Sequence, residues 1–311
     1  MLIRQDGLEV QVLAPAKLNL FLEILGKRSD GYHEIETLIT AIDRFDRLSL
    51  RAHEDSNVHL NCQMGTPLWQ IARAASGDGA SQLPPAEDNL VYRALRALQE
   101  RSGCRQGAVV TLQKTIPPAS GLGGGSSDAA AALIAANRAW NLNLPREELS
   151  KVAAELGSDI PFFLSPWKGS GARMALCQGR GEEVHAVEAP AGMHFVVVRP
   201  GVGLSTPEVY RHCRVASSPV RADQLVSALR AGNHRRAKDL MFNRLQPAAA
   251  SVDSVVEKMS ALMDATGTIA HQLSGSGSAY FGWFASTKAA QVAAGKLRAQ
   301  GIAHVWQAKG I

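Results

Sequence analysis

Hydrophobic and polar positions alternate with period two in some stretches and with a period near 3.6 in others, and each change of period marks an element. Leu8, Val10 and Val12 alternate with polar residues and predict a first strand. Ala14-Pro15-Ala16 interrupts it. Leu18, Leu20, Leu22 and Ile24 then alternate against Lys17, Asn19, Phe21 and Glu23 in a second strand. A polar turn over 26–33 leads into a run with Ile35, Leu38, Ile39 and Ile42, and 47–60 is one further β-like run. Residues 62–86, with Pro84-Pro85 and few large apolar side chains, break the pattern and read as an irregular surface excursion. Asp88 or Asn89 can cap a helix whose apolar stripe is Leu90, Ala94, Leu95 and Leu98. A strand over 108–113 precedes a glycine loop and an alanine-rich helix reaching about Trp140, and 145–156 is a helix ended by Gly157.

Composition shifts at 165–171, which divides the chain into an N-terminal domain, 1–165, and a C-terminal one, 166–311. In the second, 193–199 is a strongly apolar strand turned by Pro200-Gly201, and Ser205-Thr206-Pro207 starts a helix that holds Tyr210. Helices are expected over 223–231, 234–242, 251–265 and 287–300, with strands over 280–284 and 303–307. This order predicts an α+β domain.

The stretch Ile116-Pro-Pro-Ala-Ser-Gly-Leu-Gly-Gly-Gly-Ser-Ser-Asp128 carries the strongest chemical signal. Pro117 and Pro118 end the strand, the glycines free the backbone, and Ser126, Ser127 and Asp128 are residue types that cap a helix start. A strand, a glycine loop and a helix N-terminus together present backbone N–H groups at the positive end of a helix dipole, which suits a phosphate. The loop is neither a Walker A sequence nor a dinucleotide fingerprint, because Ser126 stands where the third glycine would be.

Charge and composition narrow the classes. Lys plus Arg exceed Asp plus Glu by 33 − 28 = 5, a balance that permits an anionic ligand. No basic run with interleaved aromatics appears, so no nucleic-acid partner is expected. Cys62, Cys104, Cys177 and Cys213 lack metal or disulfide spacing. No apolar run is long enough for a membrane span, and a cytoplasmic location is expected. On a strand, Lys17 and Asn19 share one face and either hold a phosphate or face solvent. Tyr32 and His33 either stack on a planar ring or cover a core edge. Asp159, ahead of Pro161, either caps a helix or serves as a base beside Phe162 and Phe163.

These residues together resemble the GHMP kinase superfamily, named for galactokinase, homoserine, mevalonate and phosphomevalonate kinases. Its three motifs are matched by Ala14-Pro-Ala-Lys-Leu-Asn-Leu20, Gly121-Leu-Gly-Gly-Gly-Ser-Ser-Asp128 and Leu273-Ser-Gly-Ser-Gly-Ser-Ala279. Gly31-Tyr-His-Glu34, Leu156-Gly-Ser-Asp-Ile-Pro-Phe-Phe163 and Pro200-Gly-Val-Gly-Leu-Ser-Thr-Pro207 are similar to the branch with a cytidyl substrate. The resemblance implies an S5-like N-terminal domain, a ferredoxin-like C-terminal domain and an active site in the cleft between them. It implies ATP-dependent phosphorylation, with magnesium, of the 2-hydroxyl on the methylerythritol part of a cytidyl diphosphate sugar alcohol. Lys17 and Asp159 would be catalytic. Pro118, Ala119, Ser120, Gly121, Leu122, Gly123, Gly124, Gly125, Ser126 and Ser127 would hold ATP. Asn19, Tyr32, His33, Tyr210, Gly275, Ser276 and Gly277 would bind substrate, with Tyr32 and Tyr210 sandwiching the cytosine. No protein ligand for magnesium is assigned, Ser127 being a candidate only, and a monomer or weak homodimer is expected. Two departures stand out: Gln246 replaces a frequent glutamate, and the 62–86 segment is longer than usual. The alternatives are another GHMP kinase, acting on mevalonate, homoserine or a sugar, and a silent nucleotide-binding scaffold.

Overall fold

The computed structural model describes residues 1–65, 86–165, 173–188, 192–302 and 304–311. The chain forms two compact units, one of Met1–Ala16, Arg44–Pro118 and Gly123–Pro166, the other of Lys17–Asp43, Ala119–Leu122 and Trp167–Ile311. Two long strands are therefore divided, each contributing one part to each unit.

The first unit is built on strands β1 (Leu2–Asp6), β2 (Glu9–Lys27), β3 (His33–His53), β4 (Val58–Met64) and β5 (Gly107–Lys114), in the order β1-β2-β3-β5-β4. β2 runs unbroken through Pro15, where an interruption was expected. β1 pairs only as far as Leu13, so the missing N–H of Pro15 removes no bond to it. The expected run over 47–60 is two strands: Asn57 N donates to the Asp55 carboxylate and closes a turn between β3 and β4. Cys62 lies within β4, while 66–85, the bulk of the expected excursion, and 166–171 of the expected boundary fall outside the described residues.

Helix α1 (Leu90–Ser102) starts where Asn89 accepts the Val91 N–H at 2.9 Å and stops at left-handed Gly103. It buries Val91, Ala94, Leu95 and Leu98 and packs on α2 (Gly124–Ala139). Alanines 129–132, 135 and 136 of α2 are fully buried, and their small side chains let neighbouring helices approach. α3 (Arg146–Leu156) and α4 (Ile160–Leu164) complete the unit. The start of α2 differs from expectation. Its N-cap is left-handed Gly123 with no side-chain cap, so Ser126, Ser127 and Asp128 lie inside the helix. Asp128 is drawn elsewhere. Lys114, at the end of β5, bonds both Asp128, at 2.5 Å, and Asp46 of β3, and all three are buried. Asp46 also accepts the Thr115 and Ile116 N–H groups. The triad thereby ties the first turns of α2 to two strands.

In the second unit β6 (Met174–Gln178) pairs with β3, and β7 (Glu183–Val187) with β6. Next come β8 (His194–Arg199), α5 (Thr206–His212), α6 (Asp223–Arg230), α7 (His234–Leu240), β9 (Phe242–Asn243), α8 (Leu245–Val252) and α9 (Val255–Asp264). The chain ends with β10 (Ala270–Leu273), β11 (Tyr280–Phe284), α10 (Thr287–Ala299) and β12 (His304–Lys309). The antiparallel order β10-β11-β8-β12, with helices after the first and third strands in sequence, is a ferredoxin-like arrangement. Val196, Val198, Leu273, Tyr280, Phe284, Ala293 and Leu297 centre its core. The single helix expected over 251–265 is two, because Asp253 is extended and accepts the Val255 N–H to start the second. The helix expected to reach Phe242 stops at Leu240, since Phe242 and Asn243 pair with Phe21 and Leu22 of β2. No helix among the described residues is long and apolar enough to cross a membrane, and the four cysteines form no disulfide.

Burial, opposed by Lys114 and reinforced by Asp46, pushes the Asp128 carboxyl up from 3.8 to about 7. The native state then holds a proton that the unfolded chain has lost, so this contribution is full below about pH 4 and declines as pH rises toward about 7. Denaturant unfolding of wild type and Asp128→Asn across that window is expected to show stability falling with pH more steeply in wild type. Parallel curves would contradict the buried, raised carboxyl.

Candidate active site

The polar centre of the second unit begins on β2. Period two places Lys17 and Asn19 on one face, and Lys17 Nζ donates to Asn19 Oδ1 at 2.6 Å. They are 4% and 2% exposed, which removes the solvent-facing alternative. Asn19 Nδ2 donates to Thr37 Oγ1 at 2.9 Å, and that hydroxyl donates to the Phe21 carbonyl at 2.6 Å. The amide orientation is thus fixed, with its oxygen toward the ammonium.

Two glycine-containing segments close on this pair within the same unit. Lys17 N donates to the Leu122 carbonyl at 2.9 Å, and Ala279 N donates to that of Ser120 at 2.9 Å. Ser274 Oγ donates to the Gly121 carbonyl at 3.0 Å. A Cβ on Gly121, whose φ is +77°, would stand 2.0 Å from the Ser274 carbonyl oxygen. One on Gly275 would stand 3.3 Å from Asn19 Oδ1 and 3.6 Å from Lys17 Nζ. Glycine at 121 is therefore required twice over, by φ and by space. Gly275, Ser276 and Gly277 are buried in the turn before β11. Asn243 Nδ2 holds this turn by the Leu273 and Gly275 carbonyls, both at 2.8 Å, and Gln272 Nε2 donates to the Asn19 carbonyl at 2.8 Å. Gln246 Oε1 accepts the Leu273 N–H at 2.8 Å, so an amide oxygen makes a bond there that needs no carboxylate.

A second group in this unit is aromatic. His33 and Tyr210 have ring centroids 5.1 Å apart, whereas exposed Tyr32 carries the Arg180 guanidinium 5.0 Å from its ring centroid. Burial, and then Lys27, hold the His33 imidazole below its usual pKa. At neutral pH one ring nitrogen then donates and the other accepts.

In the first unit, Ser127 N makes the first helical bond of α2, to the Gly123 carbonyl at 2.9 Å. The N–H groups of Gly124, Gly125 and Ser126 therefore fall in the turn that an α-helix leaves without internal partners. Gly124 sits against the triad: a Cβ there would be 2.8 Å from Ile116 Cγ2 and 3.3 Å from Lys114 Nζ. Pro118 and Ala119 are exposed ahead of the loop. Ser127 Oγ is buried with no hydrogen-bond partner among the described residues. Asp159 precedes α4, is half-buried and makes no cap hydrogen bond.

The second unit thus brings together Lys17, Asn19, Ser120, Gly121, Leu122 and the turn 274–278, and joins His33 to Tyr210. Thr37, Arg180, Gln272, Asn243 and Ser274 belong to these groups and were not among the expected site residues. Thr37 lies in the apolar run with Ile35, Leu38 and Ile39; Arg180, Gln272 and Ser274 depend on partners more than 100 positions away, and Asn243 on carbonyls 30 and 32 positions away.

Comparison with known proteins gives the same pattern over most of the chain. Family profiles described as GHMP kinases N terminal domain and GHMP kinases C terminal match residues 89–166 and 225–303. A 4-diphosphocytidyl-2-C-methyl-D-erythritol kinase of Pelotomaculum thermopropionicum is 38% identical over 93% of this chain and 94% of its own length. One of Brevibacillus brevis is 37% identical over 88% of this chain and 87% of its own length. A crystal structure of 4-(cytidine 5'-diphospho)-2C-methyl-D-erythritol kinase superposes with a TM-score of 0.73 at 31% identity, covering 96% of this chain and 98% of that one. A homoserine kinase from Cytophaga hutchinsonii, at 19% identity and a TM-score of 0.72 over 100% of this chain and 98% of that one, shares the fold. With the paired polar centre, the glycine loop and both domain profiles in one chain, the protein belongs to the GHMP kinase family.

Proposed function

We propose that the chain transfers the γ-phosphoryl group of ATP to the 2-hydroxyl of the methylerythritol part of 4-diphosphocytidyl-2-C-methyl-D-erythritol. One observation carries this choice over mevalonate or homoserine: the unit that buries Lys17 and Asn19 also holds the His33–Tyr210 ring pair, and Tyr32 beneath the Arg180 guanidinium. Those smaller alcohols have no planar base for such a group to grip. Relatives bearing the cytidyl kinase name at 38% and 37% identity support the same substrate.

The residues divide the work. The Gly124, Gly125 and Ser126 N–H groups, with the loop from Pro118 through Gly123, take the nucleotide phosphates at the positive end of α2. The acceptor oxygen attacks the γ-phosphorus, the bond to the β,γ-bridging oxygen breaks, and ADP leaves. Asp159 orients the hydroxyl and takes its proton. Lys17, fixed by Asn19, neutralises charge on the transferred group. Such loose transfer depends on positioning and charge compensation. Magnesium, when bound with the nucleotide, would supply further neutralisation, and the Ser127 hydroxyl, buried and without a hydrogen-bond partner among the described residues, fits it as a ligand. Asn19 and the turn Gly275-Ser276-Gly277 contact substrate. His33, in its neutral form, offers both a donor and an acceptor to the polar edge of the cytosine, between Tyr32 and Tyr210.

The direct test is ADP release from ATP and magnesium with the cytidyl substrate, mevalonate, homoserine or no acceptor. Release driven by the cytidyl substrate alone is expected, and release driven only by another alcohol would overturn the assignment. Asp159→Asn is expected to lower turnover on the order of 10²–10⁴-fold while ATP still binds; near-normal turnover would remove Asp159 from the reaction. Tyr32→Ala is expected to raise KM for the substrate roughly tenfold with kcat little changed, because it removes one stacking face. An unchanged KM would contradict stacking. Gly121→Ala is expected to abolish nucleotide binding, measured by calorimetry, and wild-type affinity would contradict the close approach of this loop to Ser274.

A further inference from the structure

One cluster of metal-ligating side chains in the first unit lies apart in sequence from the residues assigned to phosphoryl transfer. His53 ends β3, Asp55 stands in the turn that follows, and His59 lies on β4. One donor atom from each lies within 4.8 Å of the other two. His53 Nδ1 is 3.0 Å from Asp55 Oδ1, and His59 Nε2 is 3.6 Å from Asp55 Oδ2. The imidazole rings stand 5.6 Å apart between centroids and nearly perpendicular, at 72°. The carboxylate is held from behind: Asn57 N donates to Oδ1 at 3.0 Å, leaving Oδ2 toward His59. Backbone support of this kind orients metal-binding carboxylates.

We propose that His53, Asp55 and His59 form a binding site for a late first-row divalent cation, with Zn²⁺ as its best-suited ion. Two imidazoles and one carboxylate suit zinc, whereas magnesium and calcium prefer all-oxygen sites, so this site is distinct in chemistry from the one that serves the nucleotide. Ligand atoms around a tetrahedral zinc lie about 3.3 Å apart. The three donors need to draw in by roughly 1 Å, which exposed side chains on a hairpin achieve by rotation about their own bonds. All three residues are exposed, so the remaining coordination positions face solvent and are filled by water. Bound metal would link the end of β3, the turn and β4. β4 is the last strand of its sheet path, held there by parallel pairing with β5. A cation bound only in the folded state stabilises that edge by mass action.

The experiment uses the full chain, free of tag histidines and stripped with chelator, titrated with Zn²⁺ by calorimetry and with Co²⁺ by visible absorption. The expected result is one ion per chain with Kd below about 100 μM, weakened at least about tenfold by His53→Ala, by His59→Ala and by Asp55→Asn. Excess Mg²⁺ is expected to leave zinc binding unchanged. Circular dichroism checks that each variant is folded, as exposed substitutions on a turn should be. Weaker binding, binding that survives in the His53→Ala, His59→Ala double variant, or displacement by Mg²⁺ overturns the site. The outcome is independent of the kinase assignment, since no acceptor or nucleotide enters the measurement.

Discussion

A buried ammonium organises the second unit. Lys17 is 4% exposed, and removing a charge from water is tolerated only where it is paired and hydrogen-bonded. Asn19 supplies a dipole at 2.6 Å, Thr37 fixes that dipole, and the backbone of residue 17 is pinned to the Leu122 carbonyl. A transferring phosphoryl group would meet this charge in a setting that screens little. The glycines at 121 and 275 follow from the same constraint, because a Cβ at either would press on the Ser274 carbonyl or on the Lys17–Asn19 pair.

The first unit holds a buried ammonium of its own. Lys114 is buried between Asp128 and Asp46, so its charge is spent internally. Burial alone would lower its pKa, but the two carboxylates raise it overall. Burial is the chief cause of the upward shift of Asp128; Lys114 opposes it and the Asp46 carboxylate adds to it. The triad ties α2 to β5 and β3, beside Gly124 at the point where the helix presents its N–H groups. Both lysines are buried: Lys114 bonds two carboxylates, and Lys17 donates to the Asn19 amide oxygen.

Much of this was legible from local pattern. Period two put Lys17 beside Asn19, Asp88 or Asn89 marked the start of α1, and three ordered motifs pointed to the family. What escaped depended on distant partners. Ser126, Ser127 and Asp128 have capping chemistry, yet Gly123 takes the left-handed cap and Asp128 is captured by Lys114, fourteen residues earlier in sequence and adjacent in space. Pro15 stays within a strand because β1 ends before reaching it, a matter of register that composition does not carry. Gln246 looked like a lost carboxylate, and only the Leu273 N–H shows that an amide oxygen fills the place. Arg180 joins Tyr32 across 148 positions of sequence (180 − 32), and nothing local marked it.

We propose that the buried charge of Lys17 acts on the transferred group. Steady-state and single-turnover kinetics of Lys17→Met, with magnesium-ATP and the cytidyl substrate and with folding checked by circular dichroism, measure this. The expected result is a loss of kcat on the order of 10²–10³-fold with nucleotide affinity retained within a few-fold. Turnover within a few-fold of wild type would contradict it, and would leave the ammonium a structural group of the β2 core.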